Sequence, residues 1–232
     1  MTNDIIMIIM TLKSYDFEVI IAVGVVYLPK QTFYNLPYEK RQIIEQAALD
    51  EFAKYGFDGS NMNRIVSGAK IAKGSFYQYF DDKKDVFFHL IDTLVSQKVK
   101  ILEPFFISIH EKSFTDNFRD IMKAGLDFAD SNPKYYMIGE DFAKKQSYFI
   151  EEFVTKYNPM AVDIYMQLLE QAQKDGELYE GINLTMTASF ISSLVNSVTL
   201  NIISNSMTKQ QRDTVIMELI DFIRRAVLKD IV

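Results

Sequence analysis

From residue 30 onward the apolar positions recur at three- and four-residue spacing, with almost no strand-like alternation, which predicts a succession of helices. Pro37 suits a first helical turn; Ile44, Ala47, Ala48, Phe52 and Tyr55 form one stripe, and Gly56 is placed to end that helix. Ser60 offers an N-cap to a short second helix with Met62, Ile65, Val66 and Ala69 on its buried face. After a break at Lys70 and Ile71 comes a third short helix, Lys73 to Phe80, with Phe76 and Phe80 on one face. Asp81 and Asp82 supply capping oxygens for a long fourth helix, roughly Lys83 to Glu103, stopped by Pro104. Asn132–Pro133 and Asn158–Pro159 mark further breaks, the second opening a helix that Gly176 ends. Asn183 and Thr208 cap two last helices. The fold class is therefore all-α.

Two short helices joined by a tight turn and braced by a longer one fit a helix-turn-helix unit, and they also fit an ordinary bundle. The outer edge of the third helix separates the two. With Phe76 and Phe80 buried, Lys73, Ser75, Tyr77, Gln78 and Tyr79 are left over, a set of cationic, hydroxyl, amide and phenolic groups able to reach phosphates and base edges. Gly74 removes a side chain where a backbone can approach closely.

Charge changes this picture little. The chain of 232 residues carries a net charge of −6, unevenly spread: residues 30–85 hold nine Lys/Arg and eight Asp/Glu (+1), residues 86–232 fifteen and twenty (−5). With no cationic tail, any DNA binding rests on placed contacts. The absence of cysteine excludes disulfides and thiolate metal sites, and His89 and His110 are too far apart for a local metal clamp, so no metal or cofactor is expected. No nucleophile elbow, phosphate-cradling glycine loop or zinc helix motif is present, so an enzyme is not expected.

The runs IIEQAALDEFAKYGF, from Ile43, and SNMNRIVSGAKIAKGSFYQYFDDKKDVF, from Ser60, resemble the first four helices of the TetR family of bacterial transcription repressors. The resemblance implies a helix-turn-helix domain at residues 30–84, a ligand-binding and dimerisation domain at 85–232, and a third helix lying in the major groove. Carried over by position, Ser60 and Asn61 meet phosphate, and Asn63 and Arg64 contact groove or backbone. Lys73, Gly74, Ser75, Tyr77 and Gln78 face bases and phosphates, Tyr79 touches the backbone, and Lys83 holds a phosphate. Lys70 stands where the family often has the turn glycine, and Ala72 where it often has a capping serine. A left-handed residue is thus expected at Lys70 and an uncapped start at Ala72.

The two last helices carry wide apolar stripes, Phe190, Ile191, Leu194, Val195, Val198, Ile202 and Ile203, then Val215, Ile216, Leu219, Ile220, Ile223 and Val227. A monomer could bury them internally; the resemblance implies a homodimer joined through these helices, reading a pseudo-palindromic operator in double-stranded DNA. It also implies a pocket for an apolar or amphipathic effector, with Phe106, Phe118, Met122, Phe128, Tyr136, Met137, Phe142, Phe153, Tyr165 and Met166 as candidate lining. Taken singly, each of these is better explained by core packing. Glu140 and Asp141 suggest a preference for a cationic compound. The expected function is a cytoplasmic DNA-binding repressor released by a small molecule; the alternative is a helical ligand-binding or scaffold protein without DNA binding.

Residues 1–29 are atypical. The apolar run from Val19 to Leu28 is too short to span a bilayer and lacks a cationic flank. A dispensable extension or a misplaced start codon is expected, with an extra packed strand or helix or a targeting segment as alternatives.

Overall fold

A computed structural model describes residues 29–144, 150–204 and 207–229; the extension up to residue 28 lies outside them. The described residues form ten α-helices and no extended strand. α1 (Gln31–Tyr34), α2 (Tyr38–Gly59), α3 (Met62–Gly68) and α4 (Lys73–Tyr77) precede the long α5 (Lys83–Ile107). After a 3-10 turn at Ile109–Glu111 come α6 (Phe114–Ser131), α7 (Pro133–Lys144), α8 (Ile150–Lys174), α9 (Leu184–Ser204) and α10 (Lys209–Val227).

Several helix starts are set by local side-chain caps. Asp82 accepts hydrogen bonds from the Lys84 and Asp85 amides, Asn183 accepts from Met186 N, and Thr208 forms a reciprocal capping box with Gln211. The cap of α3 is Asn61, not Ser60: Asn61 Oδ1 accepts from Asn63 N at 2.8 Å, whereas the Ser60 hydroxyl turns back to Phe57 O at 2.6 Å. Lys70 adopts φ +53°, and the turn closes with Ile71 N donating to Val66 O. Ala72 gives α4 no side-chain cap. Gly176, at φ +75°, ends α8 in the same manner, Glu177 N donating to Ala172 O.

Gly56, at φ +67° and ψ 178°, breaks the regular helix as expected, and one further turn beyond the kink reaches Gly59. The two breaks expected at prolines are absent. Pro104 lies inside the last turn of α5, which runs to Ile107, and Pro159 lies inside α8. Proline removes one donor, and a helix packed on both sides of it can absorb that loss. Around Pro159, Tyr157 on one side and Tyr165 on the other are both buried. Tyr55, assigned to the buried stripe of α2, is exposed; the buried neighbours are Leu49 and Phe57.

Two apolar clusters organise the molecule. The first gathers Phe33, Ile44, Phe52, Phe57, Ile65, Phe76, Phe80, Phe87, Phe88 and Ile91, together with Ile138 and Tyr157 from the larger domain. The second joins Leu102, Phe118, Met122, Tyr165, Leu169, Ile191, Ile216 and Ile223. α2 packs on α3, α5 and α7; α6 packs on both α5 and α8; α8 packs along α9. The Leu178 and Leu228 backbones pair antiparallel, fixing the end of α10 to the turn after α8.

Candidate nucleic-acid interface

The geometry of α4 follows from its two phenylalanines. Phe76 and Phe80 are 0% and 1% exposed, with ring centroids 5.2 Å apart, and Phe80 lies 4.9 Å from Phe33. This anchoring turns Lys73, Gly74, Tyr77 and Gln78 to solvent and leaves Ser75 half-exposed. Tyr79 is buried against Phe33, with ring centroids 6.1 Å apart. The far end of α4 is held by a segment that the sequence did not single out. Lys30 N donates to Tyr79 O at 2.7 Å, Lys30 Nζ to Tyr77 O at 2.9 Å, and the Thr32 hydroxyl donates to Gln78 O. Lys30 Nζ also pairs with Asp81 at 2.5 Å. These partners are nearly fifty residues apart, and no local signal announces them.

Around α3 the polar side chains are engaged within the protein. Arg64 donates from Nε to Glu51 Oε1 at 2.8 Å and from Nη2 to Gly59 O at 2.7 Å, while its guanidinium lies 4.2 Å from the Tyr55 ring centroid. Its pKa is raised, chiefly by the hydrogen bond to Glu51. Glu51 is buried and also accepts from Asn61 N at 2.8 Å. Asn63 is exposed. The Lys83 ammonium donates to Phe57 O at 2.6 Å and sits 4.4 Å from the Phe57 ring centroid, which closes the C-terminal end of α2. Of the candidate cations, Lys73 is thus the one whose side chain is exposed with no internal partner among the described residues.

Residues 44–90 match the family model described as "Bacterial regulatory proteins, tetR family", a span that covers α3, α4 and most of α2. A crystal structure of a TetR family transcriptional regulator from Chloroflexus aurantiacus is 28% identical, covering 87% of this chain and 99% of that one with TM-score 0.59. The chain belongs to the TetR family. An HTH-type transcriptional regulator of Staphylococcus aureus is 32% identical over 94 residues, which are 39% of this chain and 45% of that relative. FadR from Bacillus subtilis, solved in complex with stearoyl-CoA, is 16% identical with TM-score 0.64 and covers 79% of this chain and 98% of that one, a likeness of fold. These relatives are regulators of transcription, and this TetR-family chain is a DNA-binding regulator rather than an enzyme.

In this TetR-family protein the candidate pocket residues do not share one environment. Phe118, Met122 and Tyr165 are buried in the second cluster, with Phe106 and Met166 packed against it; the Phe118 and Tyr165 rings lie 5.9 Å apart. Phe128 is buried, Tyr136 half-buried, and Met137 is 49% exposed, facing away from any apolar interior. The side chains of Phe142, Phe153, Glu140 and Asp141 fall outside the described residues. The wide stripes of α9 and α10 are split. Ile191, Val195, Ile216, Leu219, Ile220 and Ile223 are buried, whereas Met186, Phe190, Leu194, Met217 and Phe222 are exposed.

Contacts that tie α2 and α8 to α5 are polar as well as apolar. His89 Nε2 lies 2.8 Å from Glu45 Oε1, joining α5 to α2, and the Tyr157 hydroxyl donates to Asp92 Oδ1 at 2.6 Å, joining α8 to α5. Burial, then the nearby Asp92 charge, pushes the Tyr157 phenol far above its ordinary value. Burial likewise raises Tyr135, which packs against the first cluster, to about 12. No described helix is long and apolar enough to cross a membrane.

Proposed function

We propose that this regulator is a cytoplasmic repressor that binds a pseudo-palindromic operator as a homodimer and is released by a small apolar or amphipathic molecule. The supporting observation is the division of α4 into a buried pair, Phe76 and Phe80, and an exposed edge, Lys73, Gly74, Tyr77 and Gln78. An edge of that composition, on a helix anchored by its buried phenylalanines and tied at its far end, suits insertion into a major groove. Lys73 and Tyr77 supply phosphate contacts and Gln78 base contacts, with Ser75, Asn61 and Asn63 at the margin.

The exposed aromatic and aliphatic side chains of α9 and α10 suit a second copy of the chain, because a row of Met186, Phe190 and Leu194 beside Met217 and Phe222 is costly to leave in water. Two reading heads related by a two-fold axis then call for an inverted-repeat site. Release by an effector is supported by the aromatic interior of the second cluster and by the stearoyl-CoA held by the FadR neighbour.

Selection of bound fragments from genomic DNA, followed by gel shift and sedimentation, tests the proposal. A dimer protecting an inverted repeat is expected. Phe190→Arg combined with Phe222→Arg yields a monomer whose operator affinity falls at least about a hundredfold, since one half-site is lost. A wild-type monomer with no preference among duplexes refutes the reading.

A further inference from the structure

The reading helix α4 is only five residues long, so nearly all of its backbone groups are terminal. Ala72 offers it no side-chain oxygen at the start. At the end, the amides of Tyr79 and Phe80 both donate to Phe76 O, and the next amide, of Asp81, is taken by the Asp85 carboxylate. The carbonyls of Tyr77, Gln78 and Tyr79 thus lie past the last turn of the ladder. All three are met by two residues that precede α2: in that order, by Lys30 Nζ, the Thr32 hydroxyl and Lys30 N.

These donors sit on a fixed support. Pro29 is buried, and Phe33 is wholly buried against Tyr79, Phe80 and the His89 ring, whose centroid lies 5.1 Å away. Lys30 Nζ is held in addition by Asp81. The two kinds of anchor on α4 constrain different things. Burial of Phe76 and Phe80 decides which face turns inward, but apolar contact is non-directional and sets rotation and slide only loosely. Hydrogen bonds to three successive carbonyls are directional, and they fix both.

That precision matters unequally to the contacts α4 offers. A flexible ammonium or phenol can follow a phosphate through small displacements. A carboxamide that must meet a donor and an acceptor on one base edge cannot. Gln78 carries that carboxamide, and its own carbonyl is the one Thr32 holds. Thr32 is exposed, so without its hydroxyl water can solvate the Gln78 carbonyl at little cost in stability; what is lost is the aim.

We infer that Lys30 and Thr32 are positioning residues for base discrimination, holding the Tyr77–Tyr79 backbone in the register at which Gln78 meets its base pair. Their effect is exerted through α4 and not by touching DNA. The inference rests on the assignment of Gln78 to base contact in the proposed function.

The test uses the full chain and the selected operator with each half-site base pair varied in turn, sequencing bound and free fractions to obtain a discrimination ratio at every position. Gln78→Ala marks the position that Gln78 reads. Thr32→Val keeps the size and removes the donor; it should lower the ratio at that position by about threefold or more, with Tm shifted by no more than about 2 °C. Thr32→Ser keeps the hydroxyl and should keep the ratio. In the Gln78→Ala background, Thr32→Val should change nothing further there. Lys30→Met should relax the same ratio and leave the slope of log K against log salt unchanged. A Thr32→Val protein that keeps every ratio, or that weakens on all duplexes in equal proportion as a merely structural tie would, overturns the inference. A slope reduced by ~0.9 per half-site in Lys30→Met makes Lys30 a phosphate contact and overturns its part. If Gln78→Ala alters no preference, the assignment of Gln78 fails and the inference falls with it; if Gln78→Ala does so and Thr32→Val does not, the inference alone fails.

Discussion

Adjacent residues on α4 should fail in opposite ways when truncated. Phe76 is wholly buried and Tyr77 is 44% exposed, although one peptide bond separates them. Burying a phenylalanine removes about 150–250 Å² from water, worth about 4–6 kcal/mol at ~25 cal/mol per Å². Core replacements of phenylalanine by alanine cost about 3–5 kcal/mol, so Phe76→Ala should lose most of that payload. For a chain of this size the loss corresponds to a fall in Tm of roughly 6–20 °C. Tyr77→Ala removes a side chain that touches little besides the edge of Phe76, and should shift stability by no more than about 0.5 kcal/mol. Its deficit should appear instead in operator affinity, by about tenfold or more, a loss of one phosphate or base contact per half-site. Thermal melts by circular dichroism and titration of a labelled operator at 10 °C, where both variants remain folded, separate the two. If Tyr77→Ala melts as low as Phe76→Ala, or binds the operator unchanged, the division of α4 into anchor and reading edge is refuted.

Two further outcomes follow from polar groups. Lys83 spends its ammonium on Phe57 O, so Lys83→Met should lower Tm while leaving the slope of log K against log salt unchanged. Lys73→Met should do the reverse, reducing the slope by ~0.9 per half-site, and a flattened slope in the Lys83 variant would restore that residue to the phosphate contacts. Asp85 is buried and accepts from Asp81 N at 2.7 Å, and desolvation raises its pKa above the ordinary 3.8. Between the unfolded and the folded pKa the native state holds the extra proton, so stability falls as pH rises through that window. Asp85→Asn keeps an acceptor for Asp81 N and should flatten this slope and raise Tm at pH 7; an unchanged profile refutes the assignment.

What was legible in the sequence was what depends on near neighbours. The caps at Asp82, Asn183 and Thr208, the left-handed turn at Lys70, and the Phe76–Phe80 pair all arise from residues within one helical turn of each other. The prolines misled because their effect depends on what the flanking turns bury, which is a tertiary property. Arg64 and Lys83 read as free cations in sequence; only the fold brings Glu51 to one and Phe57 O to the other. Met137 entered the candidate pocket through composition and faces out because of its register on α7.

The sharing of the first apolar cluster between the two domains bears on attempts to build chimaeric regulators from this chain. A junction placed after Lys84 would part Phe33, Phe52 and Phe80 from Phe87, Phe88, Ile138 and Tyr157, splitting one aromatic nucleus between donor and recipient. A transplantable cassette must carry α5 at least to Val95 and bring matching partners for α7, or the grafted head will arrive unsupported at its base.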